Sequence, residues 1–401
     1  MEGSGRVLIF CLDALQSLPR RETQMTSGWR HTIRGVMVLV IVCLSGLVSV
    51  AGQAGPEQPQ MSENVFKNVQ VLKGIPVDEF MDTMGMFASS LLWDCSNCHS
   101  KEILTNRDAF AVTTPEIQRA RQMIVMMNTL NRTYFGGQPR VTCFTCHRGT
   151  YTPEVVPSLD LQYGPLLEDP SSMAISLNRR VSPDQIFDRY IQALGGPARL
   201  AALTSLAATG TYGGFNTGGT DIAVEIFARA PDQRTQIVRE PDADNVKTYD
   251  GRNAWVAEGW RPVPLLMLTG GNVEGARLEA VMQFPAGIQK AFSQWRVGTA
   301  TIEDREVHIL QGTNPGQLPV SFYFDESGLL MRLMRWNRTA VGTLPTRVDY
   351  ADYRDVAGVK MPFRIITTWT DGQNVIALKD VRPNVSIEAM RFARPAPFQR
   401  R

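Results

Sequence analysis

The chain has 401 residues, 43% of them hydrophobic, with 41 Lys and Arg against 39 Asp and Glu. That is too much apolar material for a disordered chain, and the length allows a leader plus two domains with proper cores. Charges of both signs are interspersed without a dense Lys/Arg run, which excludes a nucleic-acid binder.

The 24 residues before Met25 fit no targeting pattern. Arg30, His31 and Arg34 then precede an apolar run from Val36 to Val50, the pattern of an export signal, with Ser49 and Ala51 as small residues for cleavage after Ala51. Left uncleaved, such a run could almost span a bilayer and serve as an anchor. Residues 1–54 are therefore read as leader. Cys11 and Cys43 lie within it, so four of the six cysteines remain in the mature chain.

Residues 55–64 read as a polar linker, and from Val65 to Gly149 the pattern is helical. Pro76 with Asp78 and Glu79 marks a helix start. Phe80, Met84, Phe87 and Leu91 then recur on one face that leads into "LLWDCSNCHS". A second helix starts at Thr114, able to cap, with Pro115 and Glu116 behind it. The break "YFGGQP" ends it before "VTCFTCHRGT".

These two stretches repeat Cys-x-x-Cys-His, as Cys95, Cys98 and His99 and again as Cys143, Cys146 and His147. Cysteines of exported proteins commonly oxidise, but a Cys-x-x-Cys disulfide is strained and leaves both histidines unexplained. Zinc held by four thiolates drawn from both pairs has no use for them either. Two thiols to bond the vinyl groups of a haem and an adjacent imidazole to bind its iron account for all six residues, so the motifs are read as two covalent c-type haem sites. The remaining histidines are His31 in the leader and His308 in a later strand, which makes methionine the natural sixth ligand. Met81 and Met84 share the apolar face of the first helix, and Met86 is turned roughly 200° from Met84. On the second helix Met123, Met126 and Met127 all qualify by spacing, in competition with plain core packing.

The stretch from Gly149 to Val181 is rich in Pro and Ser and reads as an extended linker. "SPDQIFDRYIQALGGPARLAAL" follows as a capped helix with an apolar face. Beyond Leu203, alternating segments such as "IAVEIFARAP", "REVHILQG" and "FRIITTWTDG" predict an antiparallel meander. No catalytic set appears there. Asp349, Asp352 and Asp355 read as strand and turn surface, His308 as a packed or edge histidine, and Trp255, Trp260 and Trp336 as core or pocket lining.

Residues 63 to 150 resemble the cytochrome c subunit of bacterial photosynthetic reaction centres, above all in "ARQMIVMMNTLN" followed by "VTCFTCHRG". In that family such a helix places a Met on the haem of the motif that follows it. The resemblance therefore implies Met84 for the first iron and Met123 for the second. The family's subunit carries four haems, and its break segment supplies a His to a distant one. Here there are two motifs and no His in "RTYFGGQPR", so the chain is similar to half-length dihaem relatives of non-phototrophic bacteria.

Residues 181 to 397 resemble, more weakly, the outer-membrane lipoprotein carrier class, in "TYDGRNAW", "YFDESGLLMRL" and "DYADYRDVAGVKMPFRI". In that class a half-barrel covers an apolar cavity. The two resemblances imply a multidomain α plus β chain: a small helical dihaem cytochrome c domain (55–165), a linker (166–180) and an antiparallel curved-sheet or half-barrel domain (181–401). They imply an exported protein, periplasmic or tethered to the membrane, that passes single electrons to membrane-associated redox partner proteins without substrate turnover of its own. The alternatives are a dihaem peroxidase or oxidoreductase, which needs an open iron position, and a redox-linked binding protein with an apolar ligand in the β domain.

Overall fold

The computed structural model describes residues 57–157, 159, 172–302 and 304–399. The export-signal reading of 30–51 lies outside them.

A helical region comes first. After a short turn, α1 (Ser62–Val65), the chain enters α2 (Val77–Leu91), with Pro76 at the cap position. Two short helices, α3 (Cys95–Cys98) and α5 (Cys143–His147), carry the motifs, and α4 (Pro115–Tyr134) runs between them. The start of α4 follows the local signal: the Thr114 hydroxyl accepts from the Ile117 N–H at 3.2 Å, Pro115 stands in the first turn, and Gly136 and Gly137 adopt positive φ beyond its end.

Next comes α6 (Pro183–Ala193), opened by a capping box between Ser182 and Gln185. It buries Ile186, Phe187 and Tyr190 on the sheet, and α7 (Pro197–Ala201) continues the layer with Leu200.

The strands form one antiparallel sheet. From β8 (Gln294–Ile302) a meander runs to β14 (Gly372–Pro383), which pairs with β2 (Ser205–Gly214), and a second meander continues to β7 (Leu266–Met267). The Pro/Ser-rich stretch ends in β1 (Ser176–Leu177), an edge strand on β8. The main core lies between the sheet and α6, with Leu310, Phe322, Phe324 and Leu333 among its most buried members.

The helical region packs against this sheet through α2. Its fully buried residues are Val77, Asp78, Thr83, Met86 and Ser90, whereas Phe80, Met84, Phe87 and Leu91, the face evident in the sequence, are half-buried. The reason is tertiary. Val77 enters a core with Tyr249, Val256 and Leu266, and Met86 seats against Gly342, where a side chain would collide with it. Each such burial is worth roughly 1.5–3 kcal/mol.

Asp78 and Asp82 complete the joint. The Asp78 carboxylate accepts from the Thr269 N–H (2.6 Å) and hydroxyl (2.9 Å), at the start of α8 (Gly270–Val281). Thr269 makes no cap of its own, so α2 supplies the negative group that this helix end favours. Asp82 accepts from the amides of Asn272 (2.8 Å) and Asn337 (3.4 Å), and burial raises its carboxyl above the usual range. Farther along α8, Glu279 pairs with Arg234 (3.1 Å) and Lys247 (2.6 Å).

Several surface readings sort differently. Trp255 and Trp336 are core residues, while Trp260 stays 46% exposed beneath Arg261. Asp349 pairs with Arg332, exposed Asp352 pairs with Arg354, and Asp355 caps the turn at Gly358. His308 lies within a strand of the sheet opposite Thr299 and Phe324.

Candidate functional site

Each motif is a single turn of helix held by its own cap. At the first, the Asp94 carboxylate accepts from the Ser96 N–H at 2.8 Å, and the Asn97 side chain answers by accepting from the Asp94 N–H at 2.9 Å. At the second, Thr142 and Thr145 exchange the same pair of bonds. Short polar residues at these positions satisfy amides that a one-turn helix would otherwise leave open.

All four thiols are free, with Cys95 and Cys146 exposed and Cys98 and Cys143 half-buried. Among the described residues no three His, Cys, Asp or Glu side chains gather closely enough to hold a metal ion. The four thiolates of a shared zinc site therefore do not converge. Burial pushes the thiols of Cys95 and Cys98 up and that of Cys143 up to about 11.

The two imidazoles differ. His147 Nδ1 lies 3.0 Å from the Thr150 carbonyl. A carbonyl only accepts, so the ring proton sits on Nδ1 and Nε2 keeps its lone pair, the state a metal-binding histidine needs. The Thr150 hydroxyl donates back to the His147 carbonyl at 2.6 Å, closing the loop. His99 stands edge-on to Phe110 at 4.9 Å, with Nδ1 buried and without a hydrogen-bond partner among the described atoms. Burial holds its imidazole below the usual range, opposed by a hydrogen bond with the Phe110 backbone.

The motifs are tied together by residues outside them. Trp93, two before Cys95, stacks on Tyr151 with centroids 4.4 Å apart and planes 11° from parallel. The Gly149 N–H donates to the Ser90 carbonyl at 2.9 Å, and the Arg119 guanidinium reaches the Tyr151 hydroxyl. The Thr114 hydroxyl donates to the Cys98 carbonyl at 2.6 Å, joining α4 to the first motif.

The methionines divide by burial. Met86 (4% exposed) and Met127 (6%) are core, in a cluster with Leu72, Ile124 and Val341. Met84 is half-buried at the edge of that cluster, as is Cys143, and Met81 is half-buried too. Met123 (39%) and Met126 (47%) face outward from α4. Leu92, Phe110, Val112 and Val125 are exposed as well, with Phe110 against His99 of the first motif and Leu92 beside Gly149 just after the second. A porphyrin-sized apolar group fits such surroundings, since monomers rarely leave contiguous apolar patches open. In the sheet domain a cavity of about 50 Å³ is lined by Tyr190, Leu206, Met282 and Tyr350 among others.

About half of the chain is similar to solved structures of low identity. A DUF1329 family protein from Desulfovibrio piger matches at 10% identity and a TM-score of 0.38, over 52% of this chain and 96% of its own. A LolA superfamily protein from Nitrosomonas europaea matches at 12% and 0.36, over 52% and 97%. A putative outer membrane lipoprotein-sorting protein domain from Vibrio parahaemolyticus matches at 11% and 0.34, over 51% and 97%. The stretch that carries both Cys-x-x-Cys-His turns and the helices before them, residues 36–168, matches the photosynthetic reaction centre cytochrome c subunit family.

Proposed function

We propose that this protein is an exported dihaem c-type cytochrome that passes single electrons, with one haem bonded at Cys95 and Cys98 and the other at Cys143 and Cys146. The observation that carries this reading is the pair of separately capped turns, each with two free thiols and an imidazole on the next residue. His99 and His147 would bind the irons, and the Thr150 carbonyl sets the His147 tautomer for that task. Met84 and Met123 are the sixth ligands favoured by the family resemblance. Both lie outside the fully buried core, unlike Met86 and Met127. Haem supplies the reversible one-electron chemistry, while the chain sets its potential and exposure through ligands and burial. The apolar stretch at 36–50 supports export.

The test begins with denatured protein, which should retain haem stain, with Cys98→Ala halving the haem content. Met84→Ala and Met123→Ala should each turn one haem high-spin or lower its potential and leave the other nearly unchanged. Zinc recovered in place of iron rejects the haem reading. A near-infrared Met-to-ferric-iron band kept for both haems in Met84→Ala rejects that ligand and makes Met81 the next residue to examine.

A further inference from the structure

The two motifs sit in opposite electrostatic surroundings. From residue 92 to 116 there are four acidic residues, Asp94, Glu102, Asp108 and Glu116, against Lys101 and Arg107. Arg107 is occupied by the Gly259 and Arg261 carbonyls, at 3.0 and 3.1 Å. The charges of Asp94 and Asp371 are felt at the Cys95 thiol and those of Glu116 and Asp94 at Cys98. From 117 to 157 the balance reverses to five arginines against Glu154 alone, and no carboxylate acts on Cys143.

Three of those arginines, Arg132, Arg140 and Arg148, are exposed around α5 and take part in no ion pair among the described residues. Their placement is built. The Asn131 side chain accepts from the N–H groups of Arg140 (3.1 Å) and Val141 (2.9 Å) and donates to the Val141 carbonyl (2.8 Å). The end of α4 is thereby stapled to the segment that enters the motif, with Arg132 beside that staple and Arg148 at the far end of the one-turn helix. Between these charges Tyr134 (73%), Phe135 (43%) and Phe144 (51%) are exposed, and so is Cys146. A group bonded to Cys146 therefore lies at the surface, with exposed aromatic side chains and unpaired arginines on the segments that flank it in sequence. Transient electron-transfer contacts have this composition: a small apolar centre for close approach and a charged rim that steers the encounter.

We propose that the face formed by Arg132, Arg140, Arg148 and the aromatic side chains between them is the docking surface for an acidic electron-carrier protein, which exchanges electrons at the second motif. This rests on the haem reading above, and its test keeps the two apart. Ferric holoprotein, with its haem content counted, is mixed with reduced flavodoxin, a small acidic flavin protein, and binding of oxidised flavodoxin is measured separately by calorimetry, which needs no haem. The second-order rate should fall at least tenfold between low and moderate salt. The triple variant Arg132→Glu, Arg140→Glu, Arg148→Glu should lower the low-salt rate and the affinity at least tenfold. Lys101→Glu, beside the first motif, should change them less than twofold, and the rate with a neutral flavin radical should be unaltered by the triple variant. A rate and affinity indifferent to salt and to the triple variant overturn the proposal. So does binding to phosphatidylglycerol vesicles that the triple variant abolishes while flavodoxin is unaffected, since the face would then belong to a membrane. A chain without haem overturns the earlier reading instead, whatever the calorimetry gives.

Discussion

The helical region and the sheet treat apolar side chains in opposite ways. The sheet covers its own: Leu310, Phe322 and Leu330 are fully buried beneath α6 and its neighbours. In the helical region Leu92, Phe110, Val125, Met126 and Phe144 are exposed; its one small cluster, Leu72, Met86, Ile124 and Met127, is completed by Val341 of the sheet domain, and Val77 is buried among sheet-domain residues. A region of that size closes only a small core of its own; the sheet domain extends it, and bound haem, on the reading proposed above, would cover the side chains left exposed.

The comparison breaks most visibly when the cofactor is withheld. A Cys98→Ala, Cys146→Ala protein made without attached haem should lose amide-exchange protection throughout α4, while the strands from β8 to β14 remain protected. Equal protection of α4 with and without haem would show that the helical region closes by itself. Next in size is Met86→Ala, which opens a cavity against Gly342 and should cost about 2–4 kcal/mol by thermal unfolding. Both haem spectra should stay intact, which separates this packing methionine from Met84.

A smaller effect probes the sheet side. Burial works against the charge of Glu279, but Lys247, Arg234 and Arg335 outweigh it and hold the carboxyl below its ordinary value of 4.5. Its stabilising contribution is therefore complete above that value and is lost as the pH falls through the lower, folded one. Glu279→Gln should cost about 2 kcal/mol at neutral pH, less than for a fully enclosed ion pair because its side chain keeps 32% exposure. The stability curves of the two proteins should converge in acid. Parallel curves across the whole pH range would mean that Glu279 does not provide the coupling.

What the sequence made legible was local. Thr114, Pro115 and Glu116 announced α4, Ser182 with Gln185 announced α6, and the alternation of Val307, Ile309 and their neighbours announced strands, because caps and periodicity act within a few residues. The spacing of the two Cys-x-x-Cys-His turns was legible for the same reason. The buried face of α2 was not. Phe80, Met84 and Phe87 form the more apolar stripe, yet Met86 is the one enclosed, and only the arrival of Gly342 decides that. Nor could periodicity tell that β14 pairs with β2, or that Trp93 meets Tyr151 across the motifs.

The joint between α2 and α8 has a consequence for the order in which the molecule is put together. The groups that hold Asp78 and Asp82 lie from 190 to 255 positions farther along the chain. Contacts of such separation are slow to form: those with Thr269 and Asn272 need the chain through Asn272, and the one with Asn337 needs it through Asn337. Until those segments are in place α2 lacks the partners of Asp78 and Asp82. The joint thus closes late in folding, after the local turns that carry Cys95, Cys98, Cys143 and Cys146 can form.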